Sequence, residues 1–303
     1  MSDVYRRLVS YELVGASACV RQIVEALGTL ARSVSDRNGD VLAELRAAGR
    51  DFCELKPETT VYRETVAWLL GGLDGGPPDV VATRVEVRVR RFLENREQTV
   101  ERLAAEGAKL LSSIETVLVH DYSSSVMAVL RASAAAGKRL AVIATAAEPV
   151  GGGRRVASES AAVGHRATLI PDTGTARLLD DVDAVLVGVE TAYLDGALAN
   201  TVGTYAIALL AREAGLPVFA LTDCLKIERR RPAGHAELRA ELLVQWPDPP
   251  PPPGVDVRTE VLDLIPGDLL TAYVTERGVI APSGLAAVYA ASRRELEELA
   301  AGT

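Results

Sequence analysis

Two carboxylate residues follow predicted buried strands in the second half of the chain. Asp121 comes directly after the run TVLVH, and Glu190 comes just after the run DAVLVG. Ligands bind beyond the carboxyl ends of parallel strands, so both side chains face a predicted cleft. Burial can raise the pKa of a carboxylate there, which makes each residue a candidate general acid or base. A solvated loop glutamate is an equally ordinary interpretation of Glu190.

Two of the predicted loops carry residues that could bind an anion. In VHDYSSSV, His120 precedes Asp121, and Ser123 and Ser124 open a helix, where hydroxyls either cap the helix or bind an anion. In AAEPVGGGRRV, three glycines precede Arg154, whose guanidinium could fork onto a phosphate. Three consecutive glycines are also typical of a flexible connection. Because no Lys-Ser or Lys-Thr pair follows them, the loop is not a P-loop.

The third loop, DGALANTVGTY, places four small or uncharged polar residues at the start of an apolar helix: Asn200, Thr201, Gly203 and Thr204. Amides and hydroxyls at a helix start favour negative ligands. No lysine or arginine lies among them, so the predicted site offers hydrogen-bond donors but no positive charge.

The elements that position these loops change type along the chain. Residues 1 to about 110 show apolar residues at helical spacing, broken at SDRNGD and LDGGPPD. From Thr116 onward, short β-branched runs alternate with helical segments, which indicates a parallel sheet covered on both faces. We predict an α/β fold, with an N-terminal helical domain (residues 1–113) and a Rossmann-like doubly wound domain (residues 114–303). The proline run from Trp246 to Gly254 is predicted to be a stiff surface loop, with recognition by a partner as the alternative.

Composition excludes several classes of protein. The 303 residues carry a net charge of −8, which argues against nucleic acid as a partner. Three separated cysteines without CxxC spacing indicate neither a zinc site nor disulfides, and no signal peptide or spanning helix is evident, so we predict a cytoplasmic protein without a membrane partner. His165 and His235 are predicted to be surface residues, and the absence of metal-ligand spacing argues against a metal.

Several stretches in order are similar to one family. They are VGASACVRQIVEAL, KPETTVYRETV, ETVLVHDYSSSVMAVL, DAVLVGVETAYLDGALANTVGTYAIALLAREAGLPVF and AYVTERGVIAP. Over almost its whole length the chain resembles the α, β and δ subunits of translation initiation factor two-B, methylthioribose-1-phosphate isomerase and ribose-1,5-bisphosphate isomerase. The most specific stretch is the fourth, because members read like VGADxxxxDGxxxNKxGTxxLAxxA there.

The resemblance implies a sugar-phosphate cleft between the two domains and homodimers or larger homo-oligomers. It also implies that a cysteine after the first strand of the second domain and an aspartate in the GAD segment move protons between adjacent sugar carbons, without metal or redox cofactor. On the matching positions it assigns Gly15, Ala16 and Lys56 of the first two motifs to substrate binding, together with His120, Ser123, Ser124, Arg154, Asn200, Thr201, Gly203 and Thr204.

The chain departs from the isomerases at the decisive positions. Asp121 stands in place of the cysteine, Glu190 in place of the aspartate, and Thr201 in place of the lysine. Glu148 and Val14 replace arginines, and each lost cation makes a bisphosphate a less suitable ligand than a monophosphate or an uncharged sugar.

Three functions follow as expectations. The first is an aldose–ketose isomerase whose proton-transfer pair is Asp121 and Glu190. The second is a non-catalytic, initiation-factor-like protein that binds a sugar phosphate, a nucleotide or another subunit. The third is a specialised enzyme that acts on an unusual sugar or nucleoside-derived substrate.

Overall fold

The computed structural model describes residues 2–9, 16–55, 57, 59–238, 251–258 and 260–301. The helices are α1 (Ser2–Val9), α2 (Ala16–Asp36), α3 (Val41–Leu55), α4 (Thr60–Leu70), α5 (Pro78–Leu110), α6 (Ser124–Ala135), α7 (Gly153–Ala162), α8 (Thr204–Glu213) and α9 (Leu285–Ala301). The strands are β1 (Thr116–His120), β2 (Ala141–Thr145), β3 (Arg166–Ile170), β4 (Ala184–Val187), β5 (Thr191–Tyr193), β6 (Leu198–Thr201), β7 (Val218–Leu221), β8 (Ile227–Glu228), β9 (Leu262–Ile265), β10 (Ala272–Thr275) and β11 (Gly278–Ile280).

The chain divides into two compact units, one of residues 1–99 with 287–303 and one of residues 100–286. The first unit contains helices α1 to α4 and residues 78–99 of α5, whose last residues belong to the second unit. The apolar residues of α3 and α4 lie on buried positions, as their helical spacing predicts. The predicted domains, residues 1–113 and 114–303, and the cleft between them stay a prediction.

The second unit is built on a seven-stranded sheet in the order β11-β10-β7-β4-β1-β2-β3. Its strand pairs are parallel except for β10 with β11. Strands β4 and β7 are buried at every residue, which shows that both faces of the sheet are covered. This arrangement confirms the predicted fold class.

The order of the strands reverses between β1 and β4. From β1 the chain adds β2 and β3 on one side, and then returns to add β4, β7 and β10 on the other. The carboxyl ends of strands at such a reversal border the crevice in which doubly wound proteins bind ligands.

A second sheet, in the order β8-β5-β6-β9, was not predicted. Strands β5 and β6 form an antiparallel hairpin around the turn at Asp195 and Gly196, and β9 pairs with β6 from Leu198↔Ile265 to Thr201↔Leu262. The stretch predicted as a loop is thus held in strands up to Thr201, directly before helix α8.

One predicted surface residue is buried. His165 is 5% exposed, since its Nε2 donates to the Leu130 carbonyl (2.9 Å) and its Nδ1 accepts from the Leu140 amide (3.2 Å). His235 is exposed, as predicted. Most of the proline run lies outside the described residues. Within the described part of the chain, no helix is long and apolar enough to cross a membrane.

Candidate active site

The two carboxylates predicted for catalysis follow the two strands at which the sheet order reverses. Asp121 is the first residue after β1, and Glu190 is the third residue after β4. Their loops are in contact, because a Cβ built on Gly188 would lie 2.6 Å from the Ser123 Cβ atom. The strand order therefore brings the loops of both residues to one crevice.

Asp121 is held with its two carboxyl oxygens in different surroundings. The residue is 8% exposed and adopts a left-handed backbone, with φ of 61°. Its Oδ2 accepts a hydrogen bond from the Thr201 hydroxyl, whereas its Oδ1 is buried without a hydrogen-bond partner. A Cβ built on Gly152 would lie 2.0 Å from Oδ1, so only glycine fits beside this oxygen.

The surroundings of Asp121 favour its neutral form. Burial raises its pKa above the ordinary value, and this effect exceeds the opposing contributions of the Thr201 hydroxyl and of the Tyr122 and Gly152 amides. A carboxylic acid that keeps its proton can donate it to a ligand. The unpartnered Oδ1 is the atom from which it would do so.

His120 uses both of its ring nitrogens inside the protein. The side chain is 1% exposed, with Nδ1 2.6 Å from the Thr145 hydroxyl and Nε2 2.8 Å from the Val202 carbonyl. A carbonyl only accepts, so Nε2 carries a proton, and in the neutral ring Nδ1 accepts from Thr145. The ring therefore joins the ends of β1 and β2 to the turn before α8, rather than offering a nitrogen to a ligand.

The predicted donors at the start of α8 are also used within the protein. Asn200 donates to the Thr204 hydroxyl (3.0 Å), which itself donates to the Thr201 carbonyl (2.6 Å). The amides of Gly203 and Tyr205 both donate to one oxygen of Asp263, at 2.9 and 3.0 Å. A carboxylate at this position satisfies the helix start, where the sequence had predicted a ligand.

The serines after β1 open helix α6. Ser123 is its N-cap, and its Oγ accepts from the Val126 amide at 3.4 Å. Ser124 is the first helical residue, and both side chains are half-buried. Capping therefore accounts for Ser123, and the predicted part of both serines in ligand binding stays a prediction.

Glu190 is half-buried, and its amide donates to the Ala199 carbonyl at 2.9 Å. This bond joins the loop after β4 to strand β6. The backbone of Glu190 is thus fixed beside the strand that ends in Thr201, the partner of Asp121.

Arg154 lies on the surface. Its guanidinium is 3.9 Å from a carboxylate oxygen of Glu148, and both side chains are well exposed. Its neighbour Arg155 lies over the Tyr122 ring, 3.8 Å from the centroid, and donates to Glu159 at 2.7 Å. Arg155, and not Arg154, is therefore the arginine that contacts the loop after β1. The sequence analysis had not singled out Arg155.

Lys226 is a candidate that sequence reasoning missed. It is 8% exposed, and its Nζ donates to the carbonyl of Val189, the residue before Glu190, at 2.5 Å. No carboxylate among the described residues forms an ion pair with it, and a buried ammonium is costly without an anion nearby. The signal available in the sequence was weak, because Lys226 is the fourth residue after the run PVFALT, whereas Asp121 directly follows TVLVH.

The remaining predicted residues belong to the first unit. Gly15 and Lys56 lie outside the described residues, and Ala16 is the first residue of α2. Their predicted part in substrate binding stays a prediction. In the chain as described, His, Cys, Asp and Glu side chains form no group of three or more that could hold a metal ion.

The fold and the order of these motifs match a known family. The model of the initiation factor 2 subunit family matches residues 12–282, which is most of the chain. The chain belongs to this family.

This member of the initiation factor 2 subunit family is similar to sugar-phosphate isomerases. It is 26% identical over 289 residues to ribose 1,5-bisphosphate isomerase of Methanocaldococcus jannaschii, covering 94% of this chain and 92% of that protein. It is 27% identical over 269 residues to methylthioribose-1-phosphate isomerase of Syntrophotalea carbinolica, covering 81% of this chain and 78% of that protein.

A solved structure of the family shows the same fold. The crystal structure of translation initiation factor eIF-2B of Pyrococcus horikoshii OT3 superposes with a TM-score of 0.76 at 22% identity, covering 92% of this chain and 96% of that one. The crystal structure of 5-methylthioribose 1-phosphate isomerase of the same organism also superposes, with a TM-score of 0.75 at 22% identity, covering 98% of this chain and 87% of that one. Proteins named as isomerases and as initiation factors thus share the architecture of this family member.

Proposed function

We propose that this family member is a sugar-phosphate isomerase-like enzyme of the aldose–ketose type, with Asp121 and Glu190 as its proton-transfer pair. The observation that carries the proposal is the buried Oδ1 of Asp121, which has no hydrogen-bond partner and lies at the reversal of the strand order. Support comes from the two relatives above, which are named sugar-phosphate isomerases and match most of the chain.

In this proposal Asp121 is the general acid. It keeps its proton at a pH at which an exposed aspartate has lost it, because burial raises its pKa. The Thr201 hydroxyl is bonded to Oδ2, so Oδ1, which has no hydrogen-bond partner in the protein, is the oxygen that we assign to the substrate. In the first step its proton passes to the carbonyl oxygen of the sugar.

Glu190 is the general base. Its carboxylate takes the proton from the carbon next to the carbonyl, and the electron pair of that C–H bond forms the double bond of an enediol. In the second step Glu190 returns the proton to the former carbonyl carbon, while Asp121 recovers a proton from the hydroxyl that becomes the new carbonyl. Each carboxyl ends in its starting state, and no oxidant or reductant is consumed.

The charge of Lys226 is an argument for an anionic ligand in the same crevice. Its buried ammonium contacts the loop that carries Glu190 and is matched by no carboxylate in the described part of the chain. One cation favours a substrate with a single phosphate over a bisphosphate, because Thr201 adds a hydroxyl but no charge. We therefore expect a pentose monophosphate or a related sugar.

One observation favours the non-catalytic alternative. The helix start that the sequence predicted as a ligand site is occupied by Asp263, and the hydroxyls of Thr201 and Thr204 donate to groups of the protein. A crevice with so many satisfied donors also suits a protein that binds a sugar phosphate weakly, or a subunit, without turning a substrate over.

Binding and turnover separate the two functions. The purified protein is mixed with ribose 1,5-bisphosphate, methylthioribose 1-phosphate, ribose 5-phosphate and unphosphorylated pentoses, and is measured by thermal shift and by product analysis. We expect one sugar monophosphate to raise the melting temperature and to be converted. As a control, Asp180→Asn, which changes an exposed aspartate, is measured beside the wild type and should behave in the same way. A sugar that stabilises the protein without any conversion would support the regulatory alternative and contradict the isomerase.

A further inference from the structure

Two consecutive residues of the loop after β1 hold two consecutive residues of the turn before α8. The ring of His120 donates from Nε2 to the Val202 carbonyl, and the carboxyl of Asp121 accepts from the Thr201 hydroxyl. The left-handed backbone of Asp121 turns the chain between these two contacts. The position of the Thr201 hydroxyl on Asp121 is therefore coupled to the position of the His120 ring.

Close packing on two sides restricts the position of the His120 ring. Gly203 adopts φ of 99°, and a Cβ built on it would lie 2.9 Å from Cε1 and 3.0 Å from Nε2 of His120. On the other side, the ring meets Thr145, which is fully buried at the end of β2. The backbone of Thr145 is fixed in turn, because its carbonyl approaches Gly153 so closely that a Cβ there would lie 1.6 Å away.

Hydrogen-bond chemistry then selects one tautomer. The Val202 carbonyl needs a proton on Nε2, and the Thr145 hydroxyl supplies a donor to the lone pair on Nδ1. If the proton moved to Nδ1, Nε2 and the Val202 carbonyl would face each other as two acceptors and would repel. The turn of residues 201–203 would then move away from the end of β1.

We propose that His120 is a positioning residue, which Thr145 fixes in the Nε2-protonated tautomer so that the Thr201 hydroxyl stays on Oδ2 of Asp121 and Oδ1 stays directed at the ligand. The proposal rests on the proposed function in one respect, the role of Asp121 as the acid. It assigns His120 to the orientation of that acid rather than to direct contact with substrate.

The groups that face Asp121 determine its pKa. They are the His120 ring on β1, the Thr201 hydroxyl at the end of β6 and the amides of Tyr122 and Gly152. The Thr201 bond lowers the pKa of Asp121 and so opposes the effect of burial. Loss of this bond should raise the pH at which Asp121 titrates, by roughly one pH unit for a hydrogen bond to a charged group.

The test compares Thr145→Val, Thr145→Ser and Thr201→Val with the wild type, without any substrate. The nitrogen-15 shifts of the histidine rings report the tautomer, and the carbon-13 shift of the Asp121 carboxyl, assigned by its loss in Asp121→Asn, reports its titration. His165 is an internal standard, because its two ring nitrogens are bonded to the Leu130 carbonyl and the Leu140 amide, away from this network. Thr168→Val, on an exposed residue of the neighbouring strand β3, is the matched control.

We expect the wild type to carry the His120 proton on Nε2. Thr201→Val should raise the midpoint of the Asp121 titration, and Thr145→Val should change the His120 shifts and raise that midpoint in the same direction. Thr145→Ser keeps the hydroxyl and should restore the wild-type values, as should Thr168→Val. A role confined to stability would lower the melting temperature of Thr145→Val but leave the Asp121 titration unchanged.

The proposal is overturned by a wild-type His120 proton on Nδ1, by a Thr201→Val titration equal to that of the wild type, or by a folded Thr145→Val with an unchanged Asp121 midpoint. The first two results do not depend on the folding of Thr145→Val. Because no sugar is present, a protein that shows the expected titrations but converts no sugar phosphate would refute the proposed function and leave the role of His120 intact.

Discussion

The two oxygens of the Asp121 carboxyl lie in different surroundings. Oδ2 is tied to the Thr201 hydroxyl, while Oδ1 is buried beside Gly152 and makes no hydrogen bond of its own. A buried polar atom without a partner costs folding free energy, on the order of 1–3 kcal/mol. A ligand that donates or accepts a hydrogen bond at Oδ1 would recover this free energy, as the proposed function requires.

The ionisation of Asp121 links the site to stability. Its pKa is raised in the folded chain, so the folded state binds this proton more tightly than the unfolded state does. The resulting stabilisation is complete below the unfolded pKa, about 4, and is lost as the pH rises through the folded value. Asp121→Asn removes the ionisation but keeps an acceptor for Thr201, so it should unfold at a higher temperature than the wild type at neutral pH.

Thermal unfolding of both proteins from about pH 4 to pH 8 checks this prediction. The difference should be largest at the alkaline end and should shrink towards the acidic end. Asp180→Asn, which alters an exposed aspartate, should follow the wild type at every pH. A pH dependence that is the same with and without the Asp121 carboxyl would show that this group is not held neutral by burial.

Sequence reasoning singled out candidate residues that lie directly after strands, and missed residues that reach the same region from a distance. Asp121 and Thr201 were both assigned to the predicted cleft, and in the structure they form a hydrogen bond. Asp263 was missed because it reaches the start of α8 from 58 positions along the chain, where only the pairing of β6 with β9 brings it. Thr145, the last residue of β2, was missed because a buried threonine gives no chemical signal of its own.

At the scale of elements, the turn before α8 depends on Gly203. It is the N-cap residue of the helix, its φ is 99°, and its α-carbon lies against the His120 ring. A side chain here meets two penalties, namely a left-handed backbone and a clash with a fixed ring.

Gly203→Ala should therefore destabilise the protein more than Gly137→Ala does. Gly137 also has a positive φ of 87°, but a Cβ there meets nothing within 4 Å. We expect roughly 1–2 kcal/mol from the left-handed backbone at either position, and about 1–3 kcal/mol more at Gly203 from overpacking. Chemical denaturation measures both variants, and equal losses would contradict the contact with His120.

Local signals predicted some elements better than others. The long helices α2 to α5 and the buried strands of the seven-stranded sheet followed from periodicity, since each pattern is contained in one segment. The sheet of β5, β6, β8 and β9 did not, because TAY and LANT are short and their partners β8 and β9 come much later in the chain. Such pairing is decided by tertiary contacts rather than by local preference.

At the scale of the whole molecule, topology determines where the candidate site lies. The reversal between β1 and β4 brings the loops of Asp121 and Glu190 to one crevice, and Lys226, which follows β7, reaches the same loop through Val189. These residues come from segments about 100 positions apart, from Asp121 to Lys226. The oligomeric state and the part of the N-terminal motifs in binding stay predictions.

Deuterium exchange tests the central claim most directly. The wild type, Asp121→Asn and Glu190→Gln are each incubated with ribose 5-phosphate and the related sugars in deuterated water, and the sugars are examined by NMR. We predict that deuterium enters the carbon next to the carbonyl with the wild type, and that either variant slows the exchange by about 100-fold or more, as expected for the loss of a general acid or base. Sugars that remain unexchanged with the wild type, or exchange that is undiminished in Asp121→Asn, would contradict the account.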